Sequence, residues 1–275
     1  MSDFTIYNRD SMKIREWMEP ESVHLVVTSP PYWSIIDYGV DKQIGFGQTF
    51  EEYMCSLQSI FSQCAETLVP GGRMCINVGE QYLSTKEHGR YRVAPIPQLL
   101  VELMNTEYGK PKAGLDYMGS IVWNKIPTQN ASGGGKWMGS TYWPTDIALA
   151  FEHEYILVFR KHGKREKQSE EVMEASKLTK EERGEWSRAM WRVPPERDNP
   201  HPAPFPIAIP ERLIKLFSFV GDTVLDPFLG SGTTMEASAV NNRSCIGIEL
   251  SEEFIDMAKA RCQKLLFFDG KVKVR

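Results

Sequence analysis

Apolar positions along the chain fall into short β-rich runs separated by stretches of helical spacing. The runs at 23–28 (VHLVVT), 73–78 (RMCINV), 120–123 (SIVW), 154–160 (EYILVFR), 223–226 (TVLD) and 244–249 (SCIGIE) predict strands. Between them, Phe50, Met54, Leu57, Phe61, Cys64 and Leu68 recur at helical intervals behind Thr49, a natural N-cap, and Pro70-Gly71-Gly72 ends the pattern. Ser251 followed by Glu252 and Glu253 caps a last amphipathic helix carrying Phe254, Ile255, Ala258, Cys262 and Leu265, its acids placed at the positive end of the helix dipole. Strands alternating with helices predict an α/β protein, a doubly wound, mostly parallel sheet with helical crossovers. The middle departs from this rhythm. QNASGGGKWMGS (129–140) reads as a mobile loop, and the charged stretch 161–186 has almost no large apolar residue, as exposed helix or loop would. The expected organisation is a sheet domain built from both ends, 1–124 and 201–275, around an irregular insertion at 125–200.

Length and charge sharpen this picture. At 275 residues the chain is long enough for one large α/β core. No apolar run approaches a membrane span and the N-terminus has no leader pattern, so a cytoplasmic protein is expected. Five scattered cysteines without a C-x-x-C pair indicate neither a disulfide framework nor a zinc site, and the five histidines lack ligand spacing, so no metal is expected. The net charge of −4 argues mildly against a protein coated in nucleic acid, but charge is segregated. From Lys110 to Arg165 there are eight Lys or Arg against four acids, as a polyanion-facing region or a solvated face would have.

Two stretches carry candidate chemistry. TSPPYW (28–33) ends the first apolar run with two prolines, which cannot continue a parallel ladder and force a rigid extended turn. In isolation it is a strand-closing loop whose rings cover a core edge. TVLDPFLGSGTT (223–234) is a strand, a glycine-rich turn and the start of a helix, where backbone can approach a ligand closely. Glu249 follows Gly230 by nineteen residues at the end of the next strand, the place where nucleotide-binding sheets hold ribose hydroxyls. The turn is not a P-loop, and Met235 stands where a dinucleotide fingerprint wants Gly or Ala. Asp226 beside the glycines would repel a pyrophosphate and suits a cationic group such as the ammonium of a methionyl moiety.

With these residues in this order, the sequence resembles the S-adenosylmethionine-dependent DNA amino-methyltransferases, of the permuted group whose catalytic motif precedes the cofactor motif. TSPPYW is similar to the catalytic motif, LDPFLGSGTT to the cofactor loop and CIGIEL to the ribose-binding strand. The resemblance implies a catalytic loop of Ser29, Pro30, Pro31 and Tyr32. It implies that Asp226, Phe228, Gly230, Ser231, Gly232 and Thr233 form the loop around S-adenosylmethionine, with Glu249 on the ribose and Asp10 on the adenine amino group. DNA is the implied partner, together with a possible cognate restriction endonuclease, and the middle region is the implied target reader, with Lys136, Arg160, Lys161, Lys164 and Arg165 as candidate phosphate contacts.

The chemistry of such a site is one of orientation. An exocyclic amino nitrogen is a poor nucleophile because its lone pair is delocalised into the ring. If the Ser29 side chain and the Pro30 carbonyl oxygen accept its hydrogens, the nitrogen can pyramidalise toward a sulfonium methyl. Tyr32 offers a ring on which an extruded base can stack, and Trp33 either assists or packs. Ser at position 29 favours cytosine N4 over adenine N6, since family members acting on adenine more often carry Asp there. A protein-glutamine methyltransferase, a catalytically dead DNA-binding module and a dinucleotide oxidoreductase are the remaining alternatives.

Overall fold

The structure is a computed structural model and describes residues 2–105, 114–125, 149, 151–196, 205–265 and 271–275. Its strands are β1 (Phe4–Tyr7), β2 (Val23–Thr28), β3 (Leu68–Val78), β4 (Gln81–Leu83), β5 (Arg92–Ala94), β6 (Leu115–Asn124), β7 (His153–Lys161), β8 (Met190–Arg192), β9 (Thr223–Asp226), β10 (Ser244–Ile248) and β11 (Val272–Val274). Its helices are α1 (Phe50–Thr67), α2 (Thr85–His88), α3 (Ile96–Met104), α4 (Glu170–Ala175), α5 (Lys180–Trp186), α6 (Ala208–Phe217), α7 (Thr233–Val240) and α8 (Glu252–Gln263).

Nine strands make one sheet in the order β11-β1-β10-β9-β2-β3-β7-β6-β8, while β4 and β5 pair separately. Six of the eight pairings in the large sheet are parallel; those of β7 with β3 and β6 are antiparallel. The fold is therefore the mostly parallel, doubly wound sheet that the alternating pattern predicts. The two ends of the chain meet at its centre, where Leu25 and Val26 of β2 face Val224 and Leu225 of β9. Both strands run the same way, so TSPPYW and DPFLGSG leave the sheet side by side at the carboxyl ends of adjacent strands.

Helices cover both faces. On one, α1 and α3 pack against Val26 of β2 and Met74, Ile76 and Val78 of β3. On the other, Ile209, Leu213 and Ile214 of α6 pack against Leu25, Val27 and Cys75. Helix α1 begins as the N-cap reading expects: Thr49 and Glu52 form a reciprocal capping box. The helix ends at Thr67, before the predicted breaker, and Pro70-Gly71-Gly72 lies inside β3. There β3 takes five steps, Leu68 to Arg73, while β2 takes two, Val23 to Leu25, so the breaker residues form a bulge. The middle of the chain is also less separate than expected. Residues 125–200 contribute β7, which sits inside the sheet between β3 and β6, and the short edge strand β8.

One glycine of the second motif proves to be a packing residue. Gly232 has φ +85°, and a Cβ placed on it would lie 2.6 Å from Ala258 Cβ and 2.8 Å from Ala258 Cα. The close approach is thus between the start of α7 and helix α8, which buries Ile255, Ala258 and Cys262 against Phe4, Ile6 and Met235. Gly232→Val should therefore destabilise the fold by about 3 kcal/mol or more, through overpacking and a left-handed backbone that β-branched residues resist. Thermal denaturation checks this, and an unchanged melting temperature would contradict the packing role.

Candidate active site

The two motif loops are tied to each other beneath the surface. Thr28 Oγ1 donates to Asp226 Oδ1 at 2.7 Å, and Phe228 N donates to the same oxygen at 3.0 Å. Asp226 is 1% exposed, and its Oδ2 has no hydrogen-bond partner among the described residues. Burial pushes the Asp226 carboxyl up to about 6, with the Thr28 and Thr234 hydroxyls and the Phe228 amide opposing the shift and the Glu249 carboxylate adding to it. Ser11 Oγ ties the amino-terminal segment in as well, donating to Pro227 O at 2.5 Å.

Above this anchor lies a first cleft, walled by Asp10, Tyr38, Phe228, Gly230, Glu249 and Phe254 and reached by Ser29 and Pro31. Asp10 caps the short 3-10 helix Ser11–Glu16, accepting from Met12 N at 2.9 Å. Glu249 pins the glycine turn, accepting from Gly230 N at 2.8 Å and from Leu250 N and Ser251 N at 2.9 Å. Burial raises the Glu249 carboxyl above its ordinary value, and those three amides oppose the rise. Burial pushes the Tyr38 phenol up to about 12, with Glu249 contributing. Its ring meets Phe254 edge-on at 6.1 Å.

The structure thus brings Asp10, Phe228, Gly230 and Glu249 to one cleft, with Asp226 directly beneath. It does not bring Ser231, Gly232 or Thr233 to that wall. Ser231 faces a separate groove with Glu236 and Arg261, and Thr233 is buried in α7. Periodicity does not reveal this, because a glycine that admits a ligand and one that admits a helix look alike in sequence.

The catalytic-loop candidates are held rigidly. Tyr53 Oη of α1 donates to Pro31 O at 2.8 Å, and Gln81 Nε2 donates to Trp33 O at 2.5 Å. Trp33 is 6% exposed, donates to Gln48 O at 2.8 Å and packs edge-on against Phe50 at 5.0 Å, so it is a packing residue. Tyr32 points the other way, into a second cleft shared with Ser29, Asn77, Trp123, Lys125 and Glu154. Its hydroxyl donates to Glu154 Oε1, and burial together with that carboxylate raises the phenol well above its usual range. Glu154 is 5% exposed; Lys125 Nζ also bonds to its Oε1, and Asn77 Nδ2 donates to its Oε2 at 2.6 Å. Ser29 lines both clefts.

The candidate phosphate contacts lie elsewhere. Because β7 runs antiparallel to β3, its start delivers Glu154 to the loop edge, and its end carries Arg160 and Lys161 to the opposite edge. There Lys161 Nζ donates to Leu68 O at 2.5 Å and Glu66 O at 3.2 Å. Arg165 grips Asp222 through two bonds of 2.7 and 2.6 Å, and the Lys164–Arg165 backbone packs against Gly71. Arg160, Lys161, Lys164 and Arg165 are therefore not at the edge that carries the two motif loops, and Lys161 and Arg165 are occupied in holding the fold. Lys136 lies outside the described residues. Asn77, Lys125 and Glu154, which no motif marks, stand at the site instead.

The family N6_N4_Mtase, described as DNA methylase, matches residues 23–260. The Type II methyltransferase M.MjaI of Methanocaldococcus jannaschii is 34% identical over 273 residues, covering 88% of this chain and 86% of that protein. The structure of TTHA0409 from Thermus thermophilus, solved with S-adenosyl-L-methionine, superposes with a TM-score of 0.78 at 33% identity, covering 98% of each chain. The cytosine-N4-specific PvuII DNA methyltransferase shares the fold, with a TM-score of 0.66 at 19% identity, over 95% of this chain and 87% of that one. No described helix is long and apolar enough to cross a membrane.

The buried carboxyl gives a test of the anchor. A carboxyl ordinarily near 3.8 that sits near 6 when folded contributes stability fully below about pH 4 and loses it as pH rises through 6. The difference amounts to about 3 kcal/mol. Asp226→Asn should remove that loss, so urea denaturation from pH 4 to 7 should show a flatter profile than the wild type. A variant whose pH profile parallels the wild type contradicts the burial of an ionisable group there.

Proposed function

The chain belongs to the N6_N4_Mtase family of DNA methylases, and on that premise we propose that it methylates the exocyclic amino nitrogen, N4, of a cytosine turned out of the DNA duplex. The methyl donor is S-adenosylmethionine, which supplies an electrophilic methyl on a sulfonium. The order of the motifs, Ser29-Pro30-Pro31-Tyr32 ahead of Asp226 to Gly232, supports membership of the permuted group.

The observation that carries this reading is the position of Ser29 between the two clefts. A transfer between a bound donor and a bound base needs its acceptor groups at the junction of two sites, and Ser29 stands there. The donor cleft fits its ligand. Phe228, Tyr38 and Phe254 supply apolar and aromatic wall, and Asp10 and Glu249 are acceptors for an amino group and for hydroxyls. The buried Asp226 carboxylate adds negative charge beneath the cleft, which suits a methionyl ammonium. On the other side the Ser29 hydroxyl and the Pro30 carbonyl accept the amino hydrogens, aiming the nitrogen lone pair at the donor. The Tyr32 ring, fixed by Glu154, supports the extruded base. The loop restraints from Tyr53 and Gln81 mean that little reorganisation accompanies reaction.

Serine at position 29 supports cytosine over adenine. Digesting DNA from an expressing host to nucleosides, with mass spectrometry and sequence mapping, fixes the base; N4-methylcytosine is expected and N6-methyladenine overturns the assignment. The two loop residues separate kinetically. Ser29→Ala should lower single-turnover rates on the order of a hundredfold with little change in DNA affinity, as loss of one oriented acceptor does. Tyr32→Ala should weaken base capture too, and a mismatched target, cheaper to extract, should partly rescue Tyr32→Ala but not Ser29→Ala. Equal rescue of both contradicts the division of roles.

A further inference from the structure

Lys125 stands out in the base cleft once its hydrogen-bond donors are counted. Ser29 is used as an acceptor in the proposed reaction. The Tyr32 hydroxyl is spent on Glu154, and Trp123 Nε1 is spent on Val193 O at 2.8 Å. The Asn77 amide nitrogen faces Glu154 Oε2; since a carboxylate only accepts, this fixes the amide orientation and turns Oδ1 away from Glu154. Asn77 Oδ1 is buried without a partner among the described residues. Asn77 is itself 3% exposed, so the side-chain donor left open to the cleft is Lys125. An ammonium has three N–H bonds, and Glu154 Oε1 takes one of them. The ammonium sits 5.0 Å above the Trp123 ring, at the end of β6, and its side chain is 33% exposed.

The Glu154 carboxylate therefore holds a cationic donor in the same cleft as Ser29, whose hydroxyl is the acceptor for the amino group. That pairing is complementary to an edge on which an amino group adjoins an unprotonated ring nitrogen. Cytosine has such an edge and so does adenine. Thymine and guanine present a carbonyl beside a ring N–H, which reverses both partners. Burying an ion pair of this kind adds little to stability, so its place in the cleft calls for another reason.

We propose that Lys125 is a specificity-determining residue that donates to the ring nitrogen next to the target amino group, with Glu154 as the positioning residue that holds it beside Tyr32. The proposal rests on the reading of this cleft as the base site. In that arrangement Lys125 rewards the correct base after extrusion, while Ser29 and the Pro30 carbonyl hold its amino group.

The test pairs a protein change with a base change. Lys125→Met keeps the aliphatic stem over Trp123 and removes the donor. The duplexes carry, at the methylated position, either the natural base or its analogue in which that ring nitrogen is replaced by C–H. Wild-type enzyme should lose about tenfold or more in single-turnover efficiency on the analogue, the scale of one charge-assisted hydrogen bond. Lys125→Met should be slow on both and distinguish them less than twofold, the signature of two changes acting on one contact. If Lys125→Met is as sensitive to the analogue as the wild type, the proposal is overturned. Should an unpaired Glu154 charge prevent folding, Lys125→Met/Glu154→Gln relieves it and is held to the same outcomes. Tyr32→Ala on the natural duplex is the companion measurement. Impaired base capture there with an unaltered Lys125→Met ratio overturns only the role of Lys125. Unimpaired capture overturns the base-site reading beneath it.

Discussion

The buried hydrogen bond from Thr28 to Asp226 joins two parts of the chain that lie 198 residues apart in sequence. It exists because β2 and β9 are parallel neighbours, so that the last residues of the two strands end within one residue of the same level of the sheet. Everything above it inherits that alignment. Ser29 and Pro30 follow Thr28 directly, Pro227 and Phe228 follow Asp226 directly, and the two clefts adjoin at Ser29. Placing an ionisable group there is costly, as the upward shift of the Asp226 carboxyl records. A cationic ligand group in the cleft above it would recover part of that cost, which gives the proposed donor site a physical motive beyond shape.

The second cleft depends on a different topological choice. An antiparallel β7 between β3 and β6 delivers three unlike side chains to one point: Asn77 from the end of β3, Lys125 after β6 and Glu154 from the start of β7. Had β7 run parallel, its basic end would have reached the loops and Glu154 would have been carried away. The same reversal explains why Arg160, Lys161, Lys164 and Arg165 close the far edge of the sheet. Arg165 there shares Asp222 with His24, which lies 3.7 Å away, and Thr223 N donates to His24 Nδ1 at 3.0 Å. Tight packing of Gly79 against Glu154, whose Cγ would lie 3.1 Å from an added Cβ, holds the carboxylate in place.

The sequence was most legible where local rules act alone. Strands β2 and β9 match their predicted bounds, and the caps at Thr49 and Ser251 form as their residue types require. It was less legible where partners are distant in the chain. Pro70-Gly71-Gly72 reads as a stop, yet β2 recruits it into a bulged strand, because sheet pairing outweighs local preference. Gly232 reads as a point where backbone nears a ligand, and the packing of Ala258 against it has no sign in the sequence. The charge count from Lys110 to Arg165 treated Lys125 and Arg165 alike, and only strand direction separates them. Glu154 gave no signal at all: an acid opening a β-run becomes informative only when three donors from other elements converge on it.

The central claim is that the Thr28–Asp226 bond aligns the two loops for transfer, beyond holding the strands together. Thr28→Val keeps the β-branched shape and removes the hydroxyl that meets Asp226. Single-turnover methyl transfer with both ligands saturating, compared with calorimetric affinities for S-adenosylmethionine and for DNA, is the direct measurement. The account predicts a rate lower by about tenfold or more, the scale of a hydrogen bond to a charged group, and a smaller loss in either affinity. A rate equal to the wild type, or a loss confined to donor affinity, would contradict it.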